Sequence, residues 1–180
     1  MDSLVLQSPA KINLMLSVHG RRADGFHRLS SIVAPLAFGD TLHVSAIQAS
    51  ADTLECDRKD VPDGPSNLVL RAAAAFRART GRSTFFSFRL EKRIPIGAGL
   101  GGGSGNAAVA LRAMNTLTGE NLGRSDLIEL AAQCGSDCPF FIDSRVAEMS
   151  GRGEELSPLS EHLTSALSGQ KIFLFKQSFS

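Results

Sequence analysis

One hundred and eighty residues, 43% of them apolar and 21% charged, suffice for a single compact domain and exclude a disordered tail or a collagen-like fibre. Lys and Arg total 19 against 18 Asp and Glu, so the formal charge of +1 gives no uniform field for nucleic acid or anionic lipid. Apolar runs of only a few residues exclude a membrane-spanning helix. The start Met1-Asp2-Ser3-Leu4 lacks the basic and apolar stretches of a secretory signal, so a cytoplasmic protein without a membrane partner is expected.

Residues 9 to 18 alternate as a strand does: Ala10, Ile12, Leu14, Leu16 and Val18 take one side, and Lys11, Asn13, Met15 and Ser17 the other. The polar run 21 to 25 ends in an Asp-Gly turn signal, and a second strand is expected after it. Residues 41 to 45 and 52 to 56 alternate again before a Pro-Asp-Gly-Pro break at 62 to 65, so the first third is β-rich. Ser66 and Asn67 can cap a helix through Leu68 to Phe76, stopped at Gly81. Residues 84 to 90 read as a strand, helices are expected over 104 to 117 and 125 to 134, and residues 118 to 121 turn between them. Short strands are expected at 140 to 142 and 147 to 149, and a late one at 171 to 175. Eleven Phe with no Tyr or Trp give rings that pack and stack but donate no hydrogen bond. Three cysteines, Cys56, Cys134 and Cys138, do not suit a disulfide framework, and the last two read as buried small residues flanking a turn rather than half a metal site.

Residues 97 to 105 hold six of the 17 glycines, between an expected strand and an expected helix. Without side chains, successive N–H groups can converge on one anion, and the helix start adds the positive end of its dipole, so a phosphate chain is the expected guest. The segment satisfies the dinucleotide pattern G-x-G-x-x-G, but the acidic residue about 20 positions on, Glu120, falls in a helix–helix turn rather than after a parallel strand. The Walker pattern fails because no Lys-Ser or Lys-Thr pair follows the glycines, and the protein-kinase motifs are absent.

The run Pro95-Ile96-Gly97-Ala98-Gly99-Leu100-Gly101-Gly102-Gly103-Ser104 resembles the glycine-rich loop of the GHMP family of small-molecule kinases. Residues 8 to 14 (SPAKINL), 22 to 27 (RADGFH), 135 to 141 (GSDCPFF) and 151 to 154 (GRGE) are similar to the branch that uses ATP to phosphorylate cytidine diphosphate methylerythritol in non-mevalonate isoprenoid biosynthesis. The resemblance covers nearly the whole chain. It implies an α+β fold, the two-layer GHMP-kinase N-terminal domain related to ribosomal protein S5 domain 2, over residues 1 to 180. It also implies ATP and Mg²⁺ as cofactors, a small-molecule substrate and no nucleic acid. Members of the branch continue into a second domain with a further glycine-rich motif, which these residues lack. The chain is therefore expected to be the first domain, with self-association possible through surface the second would cover. The alternatives are a non-catalytic nucleotide-binding fragment or a kinase of another GHMP branch.

Lys11 and Asn13 stand roughly 7 Å apart along one strand face, which taken alone is as readily a solvated face as a site. The resemblance assigns Lys11 to the reaction centre and Asn13 to substrate hydroxyls. It makes Asp137 the base, where the residues alone suggest a turn cap. A carboxylate paired with Lys11 could accept or orient the proton of an attacking alcohol. Residues 95 to 104 with Gly105 would hold the nucleotide phosphates. Ser104, at the loop–helix junction, could place its hydroxyl beside metal or phosphate and could also cap the helix. Phe26 and His27 resemble a cytosine clamp, with Phe where relatives commonly carry Tyr. Asn67 and Asn115 match positions near the adenine.

Overall fold

The computed structural model describes residues 3–21, 27–151 and 155–175. Two long strands, β1 (Ser3–Arg21) and β2 (His27–Ile47), pair antiparallel over their length. On the edge of β2 that β1 leaves free, β4 (Phe85–Glu91) takes residues 41–47 and β5 (Ala147–Gly151) takes 29–33. β3 (Thr53–Cys56) pairs parallel to β4, with α1 (Leu68–Thr80) as the crossover, and β6 (Glu155–Pro158) closes the far edge on β5. The sheet order is thus β3-β4-β2-β5-β6, with β1 beside β2.

Helices α1, α2 (Gly102–Thr118), α3 (Arg124–Cys134) and α4 (Phe140–Asp143) form the second layer, with α2 lying on β1 and β2. This is the two-layer α+β fold expected. Period-2 alternation sends Phe86, Phe88 and Leu90 of β4 and Leu42 and Val44 of β2 inward onto Phe76, Val109 and Met114. Ala107, Ala108 and Ala110 are fully buried, so small side chains let α2 press close to the sheet. No helix among the described residues is long and apolar enough to cross a membrane.

α1 runs between the expected caps: Asn67 Oδ1 accepts from the Val69 N–H at 2.9 Å, and Gly81 ends the helix at φ 69°. Four expectations need correction. The alternation of β1 breaks at bulges between Pro9 and Lys11, Asn13 and Met15, and Val18 and Arg21. The first bulge leaves Ala10 and Lys11 both buried, whereas from Leu14 to Val18 both faces of the strand are open, with Leu14, Met15, Leu16 and Val18 all exposed. Residues 140 to 142 are helical, not extended. Pro139, in the right-handed region at φ −54°, starts the turn, and a short apolar run buried on every side carries no period to read. Residues 171 to 175 form no strand and are exposed; β-propensity needs a neighbouring strand to pack on, and this segment has none among the described residues. Ser104 does not cap α2: the helix begins at Gly102 on Gly101, which puts Ser104 in its first turn. β6 and α5 (Glu161–Leu167) were not foreseen; α5 buries no residue and so carries little apolar pattern.

Candidate active site

Between β4 and α2 the backbone alternates through the left-handed region at Gly97, Gly99 and Gly101, with φ of 69°, 73° and 71°. Such alternation turns backbone N–H groups toward one side, and the 17-residue helix α2 starts directly behind them. A cleft of about 230 Å³ opens there, walled by residues 95 to 103 on one side and by Val61, Pro62, Asn67 and Leu68 on the other. Asn67 shapes that second wall, because its Nδ2 donates to the Pro62 carbonyl at 2.7 Å while its oxygen caps α1.

The loop is fastened to β1. The Lys11 N–H donates to the Leu100 carbonyl at 2.9 Å, and a methyl group on Gly101 would lie 3.0 Å from Lys11 Cγ and 2.7 Å from Phe141 Cζ. Gly105 similarly faces Ser8 and Pro9, so only hydrogen at these positions lets β1 and α4 approach the loop. The bulge before Lys11 turns it inward, to 6% exposure, and its ammonium donates to Asn13 Oδ1 at 3.1 Å and stands 3.4 Å from Asp137 Oδ2. Asp137 lies between the ends of α3 and α4 with its carboxylate partly open to solvent. Next to it, burial pushes the Cys138 thiol up to about 12, a rise that the neighbouring Ser104 hydroxyl partly offsets. A thiol so placed is inert.

The structure therefore brings together Lys11, Asn13, Asp137 and the 95–105 loop, with Asn67 in the cleft wall. Asn115 does not join them. Its amide donates to the Leu122 carbonyl at 3.1 Å and accepts from the Leu122 N–H at 2.9 Å, so it fastens the α2–α3 turn. Thirteen residues beyond Gly102, it sits roughly 20 Å along the helix axis. Phe26 and the side chain of His27 lie outside the described residues. Sequence reasoning missed Asp40 and Lys92, a buried ion pair at the base of the loop. The one signal was a carboxylate inside a strand, where Asp is disfavoured.

Residues 67–145 match the family described as GHMP kinases N terminal domain. The chain is 42% identical over 179 residues to 4-diphosphocytidyl-2-C-methyl-D-erythritol kinase of Protochlamydia amoebophila (strain UWE25), covering 99% of this chain and 60% of that protein. It is 41% identical to the chloroplastic enzyme of the same name from Arabidopsis thaliana, covering 88% of this chain and 42% of that one. A crystal structure of 4-(cytidine 5'-diphospho)-2C-methyl-D-erythritol kinase superposes with a TM-score of 0.73 at 40% identity, over 87% of this chain and 55% of that chain. The chain thus spans about two-fifths to three-fifths of the length of these relatives.

Proposed function

Because the chain belongs to the GHMP kinase family through its N-terminal domain, we propose that it serves ATP-dependent phosphorylation of the 2-hydroxyl of 4-diphosphocytidyl-2-C-methyl-D-erythritol. That step belongs to non-mevalonate isoprenoid precursor biosynthesis, and the reading includes a cytoplasmic location. The observation that carries it is the inward-turned Lys11, tied by its backbone to Leu100 of the glycine loop and by its ammonium to Asp137.

The loop amides and the start of α2 bind the nucleotide phosphates. The acceptor alcohol's oxygen attacks the terminal phosphorus, a new P–O bond forms, and the bond to the bridging oxygen breaks, leaving ADP. Asp137 accepts or orients the hydroxyl proton, and Lys11 offsets negative charge on the transferred group. Asn13 shares the Lys11 ammonium and faces the same space, which suits it to a substrate hydroxyl. Phe26 and His27 hold the cytosine in this reading.

Among the described residues, no three or more His, Cys, Asp or Glu side chains converge on a metal position. The donors on offer are the Ser104 hydroxyl and the nucleotide's own phosphate oxygens. That set fits Mg²⁺, which keeps several waters and is held largely by substrate phosphates. When bound, the ion neutralises phosphate charge.

The test is calorimetric titration of MgATP and of the cytidine substrate separately, followed by a coupled ADP-release assay on the wild type and Asp137→Asn. The expected result is that both ligands bind both proteins while turnover falls about 10²–10⁴-fold in the variant. Wild-type binding without turnover would instead favour a non-catalytic nucleotide-binding fragment. Turnover with homoserine, mevalonate or a sugar alone would move the chain to another branch.

A further inference from the structure

We infer that Asp40 is the positioning residue of the phosphate loop, clamping its two ends with one buried carboxylate. Asp40 sits on β2 with no exposure to solvent. Its Oδ1 accepts from the Arg93 N–H and the Ile94 N–H, each at 2.8 Å, immediately before the loop begins at Pro95. Its Oδ2 accepts from Asn106 Nδ2 at 3.1 Å, in α2 immediately after Gly105, the last glycine of the segment. The same oxygen receives the ammonium of Lys92, whose side chain is 6% exposed and lines the cleft. One side chain on a different strand therefore holds both ends of an eleven-residue, glycine-rich segment (Pro95–Gly105).

That connection matters because residues 95 to 101, ahead of α2, have no regular structure of their own. The loop's glycines are conformationally free, and aligned amides bind phosphate well only when they are already in place. A carboxylate that accepts four hydrogen bonds, two of them from backbone immediately before the loop, fixes where the loop starts. Asn106 fixes the register of α2 against that start. Its own Oδ1 is buried without a hydrogen-bond partner, so the amide is held from its nitrogen side by Asp40. An Asp at 106 would face Asp40 across about the same short distance and repel it.

The proposal rests on the loop being the phosphate site, and the experiment separates the two. Asp40→Asn keeps the volume and a carbonyl acceptor for Arg93 and Ile94. Asn106 can turn over so that its unpartnered oxygen accepts from the new amide, and the loss then centres on Lys92. In Asp40→Asn the Kd for MgATP is expected to rise about ten- to hundredfold, the factor for losing a hydrogen bond to a charged group, with the Kd for the cytidine substrate within about twofold. Amide hydrogen exchange at residues 97 to 103 of the ligand-free chain is expected to accelerate. Asn106→Ala, which cuts only the far tether, should raise the MgATP Kd about fivefold and is decisive if Asp40→Asn does not fold. Folded variants with unchanged loop exchange and MgATP affinity within about twofold of wild type overturn the clamp, as does a parallel loss of both ligands. Failure of the wild type to bind MgATP overturns the phosphate-site reading instead, and loop exchange still tests the clamp.

Discussion

Replacing Gly101 and Gly99 by Ala separates two reasons for a glycine. Both have the same left-handed backbone, φ 71° and 73°, so each substitution carries the same conformational penalty of about 1–2 kcal/mol. Any gain from a stiffer unfolded chain is also shared. The surroundings differ: a methyl group at 99 meets nothing within 4 Å, whereas at 101 it meets Phe141 Cζ at 2.7 Å, Phe141 Cε2 at 2.9 Å and Lys11 Cγ at 3.0 Å. The Phe141 ring cannot swing aside, because it is fully buried and set edge-on to Phe140 with centroids 5.0 Å apart. Overpacking of this kind costs about 1–3 kcal/mol, so Gly101→Ala should lose about 2–5 kcal/mol against about 1–2 for Gly99→Ala. At roughly 2–4 °C per kcal/mol for a chain of this size, the two melting temperatures should differ by about 2–12 °C. Thermal unfolding without ligand measures this directly, and Phe141→Leu added to Gly101→Ala should recover part of the loss. Equal shifts for the two single variants would refute the close-approach argument and leave backbone conformation as the whole reason for glycine at 101.

Two further outcomes follow from neighbouring residues. Asn67→Ala removes the α1 cap and the strut to Pro62, and should lower stability by about 0.5–2 kcal/mol, read as a urea-midpoint shift with unchanged slope. Cys138, its thiol pushed by burial from 9.0 to about 12, should resist alkylation at pH 8 in the folded chain and react on unfolding. A raised folded value means the contribution is complete below pH 9 and is lost as pH rises toward 12, since the unfolded thiol ionises first. Between pH 9 and 11 the wild type's melting temperature should therefore fall faster than that of Cys138→Ala. Parallel curves would remove burial as the cause.

How far the fold could be read depended on the range of the interactions that set each element. α1 was legible because its signals are local: a cap at Asn67, an alanine run and a stop at Gly81. β4 was legible because Phe86, Phe88 and Leu90 keep strict alternation against the helical layer. β1 was legible as a strand but not in its faces, since the bulge between Pro9 and Lys11 leaves both Ala10 and Lys11 buried and from Leu14 to Val18 both faces are open. The glycine loop announced itself by composition, and Lys11 and Asp137 only through resemblance, because 126 positions of chain separate them. Asp40 showed in the sequence only as a carboxylate inside a strand, with nothing to say what it binds. Its partners Lys92 and Asn106 lie 52 and 66 positions away, and nothing near it in the chain marks it as buried and fully bonded.

The glycines of the loop have a second consequence beyond exposing amides. A phosphate cradle alone would need small residues only on its open side, where Gly97 and Gly99 stand with free space around them. Gly101 and Gly105 face the other way, into Lys11, Phe141, Ser8 and Pro9. Their missing side chains let β1 and α4 close against the start of α2, and that closure brings the Lys11 ammonium and the Asp137 carboxylate to one end of the loop. Binding and chemistry are thus coupled through packing: a side chain at 101 that left every phosphate-facing amide intact would still move the reacting pair. The Gly101→Ala protein should accordingly lose more in turnover than in MgATP affinity, whereas Gly99→Ala, altering only the open side, should lose chiefly affinity. If both variants lost affinity and turnover in the same proportion, the two faces of the loop would not act separately.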